Sequence, residues 1–155
     1  IHAGCRNFEL FKDLNVKHFL CLSGSEANKF DLLKINSNSI DIKLIISPYP
    51  REMGTFLPKN YDNNIFELDS YTFTKKYHDS LFAIALQLAL DVNANNVNLV
   101  GFDGYNFDPS NDVSPLTDEN QYLIDNFNLK SIIKINSFTP TQYKNTSTQS
   151  IFCNI

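Results

Sequence analysis

The chain has 155 residues, 43% hydrophobic and 19% charged, which is long enough to bury a sizeable core and too apolar for wholesale disorder. A net charge of −4 and a pI near 5.2 leave no basic surplus to neutralise a phosphate backbone, so nucleic acid is not an expected partner. No run of 18 apolar residues exists to span a bilayer, and no charged n-region followed by an apolar h-region marks a signal peptide.

Short apolar runs alternate with helical stretches along the chain, the pattern of a parallel α/β sheet. Ile1-His2-Ala3 reads as the end of a buried strand, which suggests a piece of a longer protein. Phe8, Phe11 and Leu14 share one helical face, and a helix is expected over residues 7–14. A strand follows over 17–22, then a helix over 26–34, then a strand over 42–46 that stops at Pro48. Residues 48–64 carry three prolines and a glycine and read as irregular, with a short strand at 65–68.

Asp79-Ser80 is a good N-cap pair for a helix over 81–90, whose body is apolar nearly all round and is expected to be buried. Val97 to Phe102 reads as a buried strand, followed by a long polar loop over 103–116. Ser114-Pro115 or Thr117 opens a helix over 118–127, and strands at 131–135 and 150–153 close the chain. Strand–helix–strand units make right-handed crossovers, so the expectation is one Rossmann-like three-layer α/β/α domain over 1–155 with a mostly parallel sheet.

In such sheets ligands bind beyond the carboxyl ends of the strands, which would gather segments 2–7, 23–29, 47–55 and 103–112. The candidate ligand-binding set is four residues in these segments, Arg51, Asp103, Tyr105 and Ser25, together with Asp79 ahead of the apolar helix. Arg51, in a proline-rich loop, offers a bidentate fork to a phosphate or carboxylate, against the plainer reading of a solvated surface arginine. Asp103, in Gly101-Phe102-Asp103-Gly104-Tyr105, can orient a polar ligand group with Tyr105 beside it, or simply cap its own turn. Ser25, in Ser23-Gly24-Ser25-Glu26, stands where a helix N-terminus can cradle phosphate, but neither GxGxxG nor GxxxxGK[ST] is present and ordinary cap chemistry fits better. Asp79-Ser80, ahead of the apolar helix, can cap it only, or can also present a hydroxyl to a ligand. His2 is a weaker acid/base candidate, and no catalytic residue is assigned.

Asn106, Asp108, Ser110 and Asp112 alternate oxygen donors like the start of a calcium loop, but Pro109 and the missing Gly and Glu spoil the match, so no metal site is expected. Cys5, Cys21 and Cys153 are scattered, with no CxxC, and read as free thiols in a reducing, cytoplasmic setting. The abundance of Asn, Ile and Lys is compatible with an AT-rich bacterial genome.

Several stretches taken together resemble one family. They are Ile1-His2-Ala3 with Arg6-Asn7, Pro48 to Thr55, Asp79-Ser80 leading through Ala85 to Ala89, Leu99 to Tyr105, and the tail Ser137 to Tyr143 with Ser150-Ile151-Phe152. The likeness is to the C-terminal domain of bacterial aldolase-like proteins of the 4-hydroxy-2-oxovalerate aldolase and hydroxymethylglutaryl-CoA-lyase-like type. It implies a parent lyase whose N-terminal TIM barrel, absent from this chain, carries the aldol chemistry on a divalent metal held by His and Asp. No position here matches that metal motif, so no cofactor is expected in this domain. The implied partners are the parent's own barrel and an anionic or sugar-like small molecule, and the implied role is accessory or ligand-binding. Gly101-Phe102-Asp103-Gly104 at a strand end also resembles Rossmann-like domains of bacterial glycosyltransferases, which gives a second reading as a nucleotide-sugar-binding domain.

Overall fold

The computed structural model of the chain describes residues 1, 16–23, 42–51, 65–104 and 115–150. The expected elements at 7–14 and 26–34 and the strand at 151–153 lie outside these residues. The chain divides into two compact units, Ile1–Tyr71 with Lys75–Ala85, and Thr72–Thr74 with Leu86–Ile155. Each is mixed α/β.

The first unit holds a three-stranded parallel sheet in the order β1 (His18–Leu22), β2 (Ile42–Ile46), β3 (Ile65–Glu67). β1 and β2 pair in direct register, His18 with Ile42 through to Leu22 with Ile46. Leu20, Cys21, Leu22, Leu44, Ile45 and Ile46 are all buried, so both strands are near-continuous apolar runs covered on both faces, as parallel strands usually are. β3 is a short edge strand with Phe66 and Glu67 exposed, and Leu68 N–H donates to the Ile46 carbonyl just beyond it.

Helix α1 (Leu81–Asp91) contributes residues to both units. Ser80 stands at its N-cap, and its carbonyl accepts from Ile84 N–H at 3.0 Å. Phe82, Ala83, Ile84, Leu86, Leu88 and Ala89 are buried, which matches the apolar reading of this segment. The helix ends in a Schellman arrangement. Ala94 N–H bonds the Ala89 carbonyl, Asn93 N–H bonds that of Leu90, and Asn93 takes the left-handed conformation with φ 52°.

The second unit holds the parallel sheet β4 (Asn96–Leu99), β5 (Lys134–Ser137), β6 (Ser147–Thr148), with helix α2 (Pro115–Lys130) between β4 and β5 in the chain. Pro115 is the first helical residue, where its missing N–H costs nothing. Thr117, Asn120, Leu123, Ile124 and Phe127 form the buried stripe at helical spacing. Phe127 meets Phe73 edge-on with ring centroids 5.4 Å apart.

Two expectations are corrected in this unit. The strand expected to be buried from Val97 to Phe102 ends at Leu99 and is only half-buried. Asn96 and Asn98 put one face into solvent, and Gly101, at φ 68°, leaves extended geometry. Asn98 instead accepts a cross-strand bond from Asn136 Nδ2 at 2.9 Å. The strand expected from Ser131 begins at Lys134, because α2 runs on to Lys130 and Ser131 then turns the chain. Its N–H bonds Phe127 O and its hydroxyl accepts from Ile133 N–H, which leaves Ile132 99% exposed. The third strand of this sheet is Ser147–Thr148, and Ser150 lies beyond it.

Candidate functional site

Parallel strands place their carboxyl ends on one edge, and in the first unit that edge carries a connected polar network. Ser47 directly follows β2 and is fully buried. Its hydroxyl donates to Asp79 Oδ1 at 2.7 Å, and its carbonyl accepts from Arg51 Nε at 3.0 Å. Arg51 Nη2 pairs with Glu67 Oε2 at the end of β3, and Glu67 Oε1 accepts from Tyr49 N–H at 2.9 Å. Tyr49-Pro50 is a cis peptide, which turns the chain between Ser47 and Arg51. The structure therefore brings together two of the expected site residues, Arg51 and Asp79, with Ser47 as the link.

Behind Asp79 lies a half-buried aromatic pair. Tyr71 stacks on His78 with centroids 5.0 Å apart, and its hydroxyl donates to the His78 carbonyl at 2.5 Å. Burial pushes the Tyr71 phenol well above its ordinary range, and the carboxylate of Asp79 and the thiol of Cys21 push it further the same way. Tyr71 thus stays a neutral donor at any physiological pH. Cys21 is buried and in no disulfide, and Cys5 and Cys153 fall outside the described residues.

Asp103 belongs to the second unit. Residues 99–103 leave β4 and run beside residues 138–142, which leave β5. Phe138 N–H bonds Leu99 O, Gly101 N–H bonds Thr139 Oγ1, Thr141 Oγ1 donates to Phe102 O, and Gln142 N–H bonds Asp103 O, at 2.8 to 3.1 Å. Gly104 is required twice over. Its φ is 109°, and a Cβ there would collide with the Gln142 side chain. The space that a Cβ would need is taken by the Gln142 side chain. Ser25, Tyr105, His2 and the Asn106–Asp112 donors lie outside the described residues.

Sequence reasoning missed Glu67, Tyr71, His78 and Gln142. Glu67 had a usable signal, because it is the one charged residue of the short strand expected at 65–68. Tyr71, His78 and Gln142 had none, since only the folded chain brings them to their partners. Among the described residues no group of three or more His, Cys, Asp or Glu side chains is placed to hold a metal ion. No helix among them is long and apolar enough to cross a membrane. No family model, curated protein or solved structure matches this chain.

Proposed function

We propose that this chain is an accessory, ligand-binding domain of an aldolase-like parent protein, with no aldol chemistry of its own, and that Arg51 receives an anionic metabolite. The observation that carries the proposal is the position of Arg51. Its side chain is only 12% exposed and is fixed by its bond to the Ser47 carbonyl at the carboxyl edge of β2, while its counter-ion Glu67 is 43% exposed. A pair with one partner this exposed is worth about 0–1 kcal/mol, so a ligand carboxylate or phosphate can take the place of Glu67 at little cost.

The proposal takes the fold as Rossmann-like, three-layered and α/β/α. It is supported by the parallel pairing of every described strand and by a ligand edge of the usual kind. A reducing, cytoplasmic setting is supported by Cys21, which is buried and in no disulfide.

Thermal denaturation with inorganic phosphate or pyruvate tests this. Either anion, whichever the site takes, should raise the melting temperature of the chain, Glu67→Gln should enlarge the shift, and Arg51→Ala should remove it. The same shift in Arg51→Ala would reject the site. Release of pyruvate from a 4-hydroxy-2-oxo acid by the purified chain would reject the accessory role, whereas a shift confined to nucleotide sugars would favour the glycosyltransferase-like reading.

A further inference from the structure

The edge that carries Arg51 already holds an anion of the chain's own. Glu67 spreads its two carboxylate oxygens over two separate donors, Oε1 accepting from Tyr49 N–H at 2.9 Å and Oε2 from Arg51 Nη2. The guanidinium is fixed independently of Glu67. Its Nε donates to the Ser47 carbonyl at 3.0 Å, and Ser47 is fully buried and bonded in turn to Asp79. The carboxylate is the more exposed partner, with the Glu67 side chain 43% exposed against 12% for Arg51. One guanidinium N–H and one backbone N–H therefore form a seat in which a planar, two-oxygen anion is held with one donor to each oxygen.

We propose that this seat takes a small monocarboxylate in preference to phosphate, and that Glu67 is the ligand's internal competitor for it. The proposal rests on the reading of Arg51 as an anion receptor and names the anion. A ligand carboxylate reproduces both bonds that Glu67 makes, one per oxygen. A tetrahedral oxyanion brings more acceptors than these two donors satisfy. Charge decides the same way. Glu67 closes β3, where it is the register partner of Ile46, so its side chain can rotate off the donors but its charge stays beside them. A bound ligand then meets one cation and one residual anion, and the net pull is small. The cost of stripping water from an anion grows with the square of its charge, so a weak pull repays a monoanion sooner than a dianion.

Titration of the isotopically labelled chain, followed by NMR at the Tyr49 amide, tests this without any variant, because an occupant of the seat must take over that N–H. Acetate or pyruvate should move the Tyr49 peak to saturation. Inorganic phosphate and sulfate, at equal ionic strength, should need roughly tenfold higher concentration. Glu67→Gln should tighten every anion and narrow that gap, since the residual charge is gone. Phosphate or sulfate binding as tightly as both carboxylates would overturn this inference and leave Arg51 an anion site. So would a gap that Glu67→Gln leaves unchanged, or carboxylates that shift other residues but not Tyr49. A Tyr49 peak that no anion moves would overturn the inference and the anion site together.

Discussion

Replacing Leu86 in α1 probes the more deeply buried of the two helices among the described residues. Leu86 is 1% exposed, and its neighbours Ala83, Ile84 and Ala89 are buried with it. Truncation to alanine removes three methyl or methylene-sized groups from close-packed surroundings and leaves a void. The transfer and cavity terms together come to about 2–5 kcal/mol. For a chain of this length 1 kcal/mol is worth roughly 2–4 °C, so Leu86→Ala should melt about 5–15 °C lower. Leu86→Asp adds the burial of an unpaired carboxylate at several kcal/mol more. The sum approaches the whole stability of about 5–15 kcal/mol expected for a domain of this kind, so this variant should not fold. Urea denaturation followed by far-UV circular dichroism reads both. A Leu86→Ala midpoint equal to wild type, or a soluble folded Leu86→Asp, would show that this face of α1 is not a core face.

Tyr71 gives a prediction in pH. Its folded pKa lies above its ordinary value of 10.0, so above about pH 10 the unfolded chain releases a proton that the folded chain keeps, and stability falls as pH rises. The slope is about 1.4 kcal/mol per pH unit for this one group, and Tyr71→Phe should lose that share of the alkaline destabilisation. Equal alkaline profiles for the two proteins would show that the phenol ionises freely when folded. Ser47→Ala should cost about 1–3 kcal/mol in denaturant, because it removes a hydrogen bond to Asp79 at a fully buried position, and a neutral result would mean that water replaces the hydroxyl. Gly104→Ala should cost about 1–3 kcal/mol through its left-handed φ alone and more through the collision with Gln142. Adding Gln142→Ala should restore only the steric part, and full restoration would place the whole cost in the collision.

Where one local rule dominates, the sequence is a good guide. The strand at 42–46 appears with the bounds read from its run of Ile, Lys and Leu, and the strand at 17–22 appears one residue shorter. The helix after Ser80 starts where its cap says it should. Boundaries fail where the deciding partner is remote. Ile132 and Ile133 have the composition of a strand, yet they sit in the connection after α2, because that helix continues until Ser131 caps and turns it. Ser147–Thr148 has little apolar character and becomes a strand only because β5 offers it a parallel edge.

The sequence by itself determined the strands at 17–22 and 42–46, the burial of α1 and the parallel pairing, since hydrophobic periodicity and caps act over a few residues. It also pointed to the loop carrying Arg51 as one that leaves a strand at its carboxyl end, because residues that follow parallel strands emerge there. Only the tertiary structure decided which partners meet. Ser47 and Asp79 are 32 residues apart, Arg51 and Glu67 are 16 apart, and Phe102 and Thr141 are 39 apart. Their bonds exist because strand pairing brings distant backbone into register, and a hydrogen bond demands an approach of about 3 Å that no local pattern encodes.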